Sequence, residues 1–498
     1  MPYIPVNNIT AEELFDRVSD ILTAKDAAPA NLNKMMHETL VLVCHEGLSD
    51  TNQAFGNLFS QVDFLCKRHH VNVGDAIAIQ KMRRDSNHSL PLLSEDLLFD
   101  CRALCLFISA VFDTDIPSSL TGRIPVTNKI PTEIHHIDYR YIRCIVRSFD
   151  DNTIDAEIDQ NAKEPTIRVD YSDEPLQYLK DVLHEGIQLN LLDCELRKDN
   201  TVKPRLVIVE PDFMVDISSI ARCFTDYGHH PLAYTVNRMS PSANSQAILI
   251  GNFAGSALDD IINSNGNYNW ANTFCSNFKE KALEYCTCPD INKRENFKMA
   301  ALNQARNIEQ IVNSLFDEKS GLDRKKAILE PSFVCEQLGI QGRVDLMTTD
   351  IKLLVEQKSG QNYNIQRNVP NEFGSFQKED HYVQLLLYYG VLRQNFLLNN
   401  SKVDTRLLYS KYPLPGGLVV VNYYQKLFHQ AIKFRNLLVA NEYAIAENGF
   451  ESIIDSLTPD ILNEKHLQST FYQRYLYPRI SDVTTPLHNL SPLEHAYL

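Results

Sequence analysis

Apolar positions recur every three to four residues through the first part of the chain. In "TAEELFDRVSDILTAKD", Leu14, Val18 and Leu22 fall at i, i+4 and i+8, behind Thr10 as N-cap and Glu13 three residues on. "LLSEDLLFDCRALCLFISAVF" predicts a longer, well-buried helix. Residues 1–125 are therefore expected to form a helical domain. His69 and His70 are adjacent and would not share a helix face, so a solvated helix end is the expected place for them.

The period changes after the Pro-punctuated linker "TGRIPVTNKIPTE". The runs "YIRCIVRSFD", "NTIDAEID", "PTIRVDYS" and "PRLVIVEPDFMVD" read as strands between Asp, Asn and Pro turns, with one helical stretch, "EPLQYLKDVLHEG". Residues 136–212 thus predict a small β-rich module, either an OB-like barrel or a plain structural sheet. Barrels of that type bind single strands on aromatic platforms, which these runs do not display. From 213 onward the pattern is mixed. "DISSIARCFTDYG", "SQAILIGNFAGSALDDIINSNG" and "NFKMAALNQARNIEQIVNSLFDEKSG" predict helices. "HYVQLLLYYGVLRQNFLL", the strand "DTRLLYSKYP" and a long helix after "LVVVNYY" follow. The order predicts an α/β domain over 213–480, with 481–498 as a C-terminal tail.

Composition narrows the class. The chain has 498 residues, 44% hydrophobic and 22% charged, which suits several soluble domains rather than one core. Its apolar runs are far shorter than a membrane span, and the N-terminal "MPYIPVNNITAEELF" lacks the basic and apolar regions of a signal peptide. A cytoplasmic protein with no membrane partner is expected. Its 11 cysteines are scattered, with Cys286 and Cys288 the closest set and no CxxC pair, so free thiols are expected. A net charge of −15 argues against a protein that coats nucleic acid. That surplus is uneven: residues 1–135 hold 11 Lys and Arg against 17 Asp and Glu, whereas residues 321–412 hold 12 against 10.

The neutral stretch contains the one segment where charge interrupts buried-strand patterning, "GRVDLMTTDIKLLVEQKSG" at 342–360. With the two-residue period, Glu356 and Lys358 share one face of the second strand, and a turn at "TTD" brings Asp345 alongside. Two carboxylates at close range repel, a cost that a divalent cation with hard oxygen ligands removes. A lysine beside them can steady an attacking water or the charge developing on a phosphate. On E-x-K alone, the plainer reading is a hairpin with a half-buried salt bridge. Gln384 and Tyr388, at i and i+4 on the following helix, add an amide and a phenol to one helix face.

Together G-x-x-D, E-x-K after a short turn and Q-x-x-x-Y on a helix resemble the RecB-like family of PD-(D/E)XK nucleases. The nearest look is to the nuclease modules of flap-processing helicase–nucleases and CRISPR-associated exonucleases. The resemblance covers residues 205–415 or so, running weakly upstream through "VEPDFMVDISSIARCF", "HHPLAY" and "AILIGNFAGSALDDII". It implies a restriction-endonuclease-like core, a mixed sheet flanked by helices. The implied activity is Mg²⁺- or Mn²⁺-dependent hydrolysis of DNA phosphodiesters in single strands, flaps or ends, in repair, replication or defence. Asp345, Glu356 and the backbone carbonyl of Gln357 would bind the metal, Lys358 would be the catalytic lysine, and Gln384 and Tyr388 the accessory pair. Glu330 would be a further acidic member, or a surface strand end. DNA is the implied partner, with a helicase motor in the same parent protein or in trans.

Three departures from the family pattern bear on activity. Where a G-x-x-x-H helix motif would carry a metal-binding His, "GNFAG" places Gly255, leaving His229 or His230 as substitutes. No cysteine follows Cys335 and "GHHP" replaces the early Cys-Pro, so no iron–sulfur cluster is expected. No G-x-x-x-x-G-K-[ST] occurs, so the chain is not itself a motor. The alternative expectation is a weakened nuclease fold that serves as a scaffold for DNA or a helicase.

Overall fold

The computed structural model describes residues 9–497, apart from 25, 52–54, 56–57, 88–91, 93, 129–136, 159–165, 241–243, 265, 294, 372–374, 399–402, 451–452, 454–455, 467–469 and 471. The far end of the linker expected at 121–133 lies outside the described residues. The chain divides into two compact units, Met1–Asp212 and Phe213–Leu498.

The first unit opens with helices α1 (Ala11–Thr23), α2 (Pro29–Gly47), α3 (Leu58–Arg68), α4 (Val73–Asn87), α5 (Ser94–Phe112) and the turn α6 (Ser118–Thr121). Thr10 and Glu13 form the expected reciprocal capping box at the start of α1. Leu14, Val18, Leu40, Leu65, Met82 and Leu104 lie in one core, so the helices close on the stripe that the apolar period marks. Strands β1 (Tyr141–Phe149), β2 (Thr153–Ile158), β3 (Thr166–Asp170), β4 (Gln188–Leu192), β5 (Glu195–Leu196), β6 (Thr201–Lys203) and β7 (Leu206–Val209) follow. They form one mixed sheet in the order β5-β6-β3-β2-β1-β4-β7. The helical stretch within it is a 3₁₀ segment, Glu174–Asp181.

The second unit is mixed α/β. It begins with β8 (Val215–Asp216), the short helix α7 (Ile217–Ala221) and a hairpin of β9 (Phe224–Thr225) and β10 (Gly228–His229). "DISSIARCFTDYG" is therefore only half helical. Helices α8 (Pro231–Met239), α9 (Gln246–Asn263), α10 (Trp270–Glu280), α11 (Ala282–Thr287) and α12 (Phe297–Leu315) come next. They are followed by β11 (Ala327–Leu329), β12 (Ser332–Cys335), β13 (Ile340–Arg343), β14 (Leu346–Thr348) and β15 (Leu353–Lys358). Then come α13 (Tyr363–Arg367), α14 (Glu379–Asn395), β16 (Asp404–Tyr409), β17 (Leu418–Val420) and the long helix α15 (Gln425–Asn448). The segment read as a tail, 481–498, begins inside a helix, Tyr477–His488, whose Val483 enters a core with Leu232 and Val236 of α8.

Five strands form the main sheet of this unit, β11-β14-β15-β16-β17. β15 is antiparallel to β14 and parallel to β16. A parallel neighbour requires a crossover, and α14 supplies it. Leu353 and Val355 join Leu346, Leu408 and the apolar faces of α9 and α12 in one core. By strand alternation, Leu354, Glu356 and Lys358 point to the other face, where α14 packs on β15 and β16. That alternation decides which charges meet which helix. Among the described residues no helix is long and apolar enough to cross a membrane.

Candidate functional site

The run "GRVDLM" does not form one strand. Ile340–Arg343 pairs with β12 and β8 in a separate three-stranded sheet, and Leu346–Thr348 pairs with β11 and β15 in the main one. Asp345 sits at the crossing between them. Its carbonyl accepts from the Glu330 amide at 3.0 Å, and the Val344 amide donates to the Pro331 carbonyl at 3.3 Å. The expected hairpin therefore begins one residue after Asp345, with Leu346 opposite Val355 and Met347 opposite Leu354.

The site residues converge from three elements. Asp345 Oδ2 accepts from the Gln357 amide at 2.6 Å. Lys358 Nζ donates to Glu356 Oε1 at 2.9 Å and to Gln384 Oε1 at 2.7 Å. Gln384 Nε2 donates to the same Glu356 Oε1 at 2.7 Å, so acid, lysine and amide close a ring between β15 and α14. This is the contact that the shared strand face and the helix position of Gln384 anticipate.

Tyr388, one turn on, behaves differently. Its hydroxyl donates to the Arg343 carbonyl at 2.6 Å and the side chain is buried. A Cβ at Gly342 would stand 2.9 Å from Tyr388 Cε1, a distance no ordinary contact tolerates. The glycine of G-x-x-D is thus the opening that lets α14 press its phenol onto the strand. Tyr388 braces the Asp345 corner from inside and does not present its hydroxyl outward.

Electrostatics set this corner apart. Glu356 is 3% exposed. Burial, then the nearby charge of Asp345, push its carboxyl up to about 7, with Lys358 only partly offsetting them. Asp345 keeps some solvent access, yet burial also raises its carboxyl, against the amide of Gln357 and the charge of Lys358. Glu356 Oε2 is buried and finds no hydrogen-bond partner among the described residues; nor does Gln357 Oε1. An orphaned carboxylate oxygen beside a second acid is the arrangement that a hard cation would complete, so Asp345 and Glu356 fit a divalent metal. Among the described residues, no three His, Cys, Asp or Glu side chains already stand at ligand positions.

Two further acids lie at this corner. Glu330, held at φ +49° between β11 and β12, pairs with Arg343 at 3.0 Å. Asp259 of α9 is raised to about 6 by burial and then by the charges of Glu330, Asp345 and Asp260. Sequence reasoning missed Asp259. The signal was available: Gly251, Gly255 and Asp259 recur at i, i+4 and i+8, and Asp259 is one turn beyond the place where a His was sought. Gly251 lies under Ser359, whose Oγ would be 3.3 Å from a Cβ there, while Gly255 faces open space.

His229 and His230 do not replace the missing His. Both ring nitrogens of His229 are engaged, Nε2 with Glu379 at 2.9 Å and Nδ1 with Gln430 at 3.1 Å. His230 caps α8, its Nδ1 accepting from the Leu232 amide at 3.2 Å. Supporting contacts hold the end of β15: Gln304 Nε2 donates to the Ser359 carbonyl at 3.1 Å, and the Ser410 amide to the Lys358 carbonyl at 3.0 Å. No family model, curated protein or solved structure matches this chain.

Proposed function

We propose that the second unit is a restriction-endonuclease-like nuclease core that hydrolyses nucleic-acid phosphodiester bonds with Mg²⁺ or Mn²⁺. One observation carries this reading. A buried carboxylate, Glu356, has one oxygen clamped by Lys358 and Gln384 and the other without a partner, beside Asp345. A structural salt bridge would use both oxygens, because an unmet buried acceptor costs about 1–3 kcal/mol.

Asp345, Glu356 and the Gln357 carbonyl would hold the metal. When bound, the ion supplies Lewis acidity at the scissile phosphate and lowers the pKa of a bound water. Lys358 has three donors, of which Glu356 and Gln384 take two, leaving the third for a phosphate oxygen. Gln384 keeps the ammonium from swinging away, and Tyr388 fixes the backbone that carries Asp345. Asp259 adds an acid that favours a cation at the same corner, whereas Glu330 is offset there by Arg343.

The test is cleavage of labelled single-stranded, flapped and blunt DNA by the full chain, with Mg²⁺, Mn²⁺ or chelator. Metal-dependent products that vanish in Asp345→Ala are expected. DNA binding with no cleavage under either metal would instead mark a scaffold, the reading that the lack of a His at Gly255 favours.

A further inference from the structure

Just beyond Lys358 the chain leaves β15 and, before α14, shows an aromatic ring to solvent. Tyr363 is 52% exposed, and the Arg367 guanidinium lies over its ring, 5.5 Å from the centroid. Arg367 makes no ion pair among the described residues. A five-residue helix has no stability of its own, so something else must hold this pair in place.

Asn362 does so, with its side chain fully buried. Its Oδ1 accepts from the amides of Asn364 at 2.9 Å and Ile365 at 3.2 Å, and its Nδ2 donates to the Phe376 carbonyl at 2.8 Å. Its own amide donates to the Tyr412 hydroxyl at 2.8 Å, and that hydroxyl donates to the Asn362 carbonyl at 3.0 Å. Asn368, at φ +52°, closes the other end of α13. The fold has thus already ordered a surface feature that contributes nothing to a core. Five residues of chain keep Tyr363 within about 17 Å of Lys358.

We propose that Tyr363 and Arg367 form a stacking platform for a base of single-stranded nucleic acid whose backbone reaches Lys358. The proposal rests on the hydrolytic reading of the site and names its substrate class. An exposed ring offers a π-face that any unpaired base can use, and the guanidinium adds a cation over the stack. A base inside a duplex has no free face to offer.

Binding in chelator, where nothing is cut, tests this. The full chain and its variants are titrated against a labelled oligothymidylate of about 20 nucleotides and a blunt duplex of equal length. Tyr363→Ala is expected to weaken single-strand binding roughly 5- to 100-fold, the range of one lost stack, and Tyr363→Phe to keep parental affinity. Arg367→Ala is expected to weaken it by a smaller factor, with the duplex unaffected by any of the three. Parental single-strand affinity in Tyr363→Ala, or an equal loss on the duplex, overturns the platform while leaving the hydrolytic site intact. A parent chain that binds neither DNA overturns the nucleic-acid reading itself.

Discussion

Each unit buries a cluster of opposite charges against a sheet, and the two clusters are finished differently. In the first, Arg147 of β1 reaches Asp63 of α3 at 2.6 Å and Glu157 of β2 at 2.9 Å, with Lys67 a second, more distant cation on Asp63 at 3.8 Å. The forked Arg147 guanidinium spans both acids and ties a helix to the sheet. In the second, Lys358 serves Glu356 alone among the acids, with the amide of Gln384 as its other acceptor, and Asp345 is left to a backbone amide. There two raised carboxyls and an orphaned oxygen remain. Burial raises the Asp63 carboxyl of the first cluster as well, with Arg147 and Lys67 opposing it, so what sets the second cluster apart is the pairing of two acids with one bare carboxylate oxygen between them. A bare oxygen beside a second acid costs the fold stability, and it is the feature on which the proposed cation site rests.

The comparison makes opposite predictions for cation removal. Lys358→Ala is expected to lower cleavage by about 10²–10³-fold, the usual loss when a charge-stabilising donor is deleted. It is expected to lower Tm less than Arg147→Ala does, because Gln384 still donates to Glu356 and that carboxyl, already pushed up to about 7, can take up a proton. Arg147→Ala is expected to leave cleavage per folded molecule unchanged and to cost about 3 kcal/mol, because it leaves buried Asp63 with only the longer 3.8 Å pair to Lys67. Thermal melts and initial rates on both variants check this; equal effects on stability would erase the distinction.

A second break concerns pH. Glu356 titrates near 7 when folded, against an ordinary 4.5, so the folded protein holds its proton more tightly than the unfolded chain. That contribution is complete below about pH 4.5 and is lost as pH rises through 7, at most about 3 kcal/mol. In chelator, Tm is expected to fall between pH 5 and 8 more steeply in the parent than in Glu356→Gln. Mn²⁺, binding the deprotonated pair, is expected to reverse the fall, which calorimetry would register.

Smaller effects sharpen the bracing role of Tyr388. Gly342→Ala puts a methyl group into Tyr388 Cε1 and is expected to cost about 1–3 kcal/mol, with a matching loss of activity as Asp345 shifts. Tyr388→Phe removes the bond to the Arg343 carbonyl and a side-chain contact with Gln384, and is expected to cost about 1 kcal/mol. If Tyr388→Phe instead abolished cleavage with Tm unchanged, the phenol would have a role at the phosphate that its burial does not suggest.

Periodicity alone located α1 and α5 of the first unit, α12, α14 and α15, and the pairing of Glu356 with Lys358 on one strand face. These are local consequences of 3.6- and 2-residue repeats, and Gln384 followed from its place on the next helix. What the repeats could not convey was where the chain changes sheets. "GRVDLM" carries no Pro or Gly between Arg343 and Leu346 that would end a strand, yet Arg343 and Leu346 belong to different sheets with Asp345 at the corner. They also could not say that Tyr388 points inward, that His229 is engaged by Glu379, or that Asp259, 86 positions before Asp345, adds its charge to the same corner. Such facts depend on which helix lies over which strand, and only packing in three dimensions decides that. The chain itself determined the chemistry available, two acids, a lysine and an amide; the tertiary structure decided which oxygen would be left without a partner.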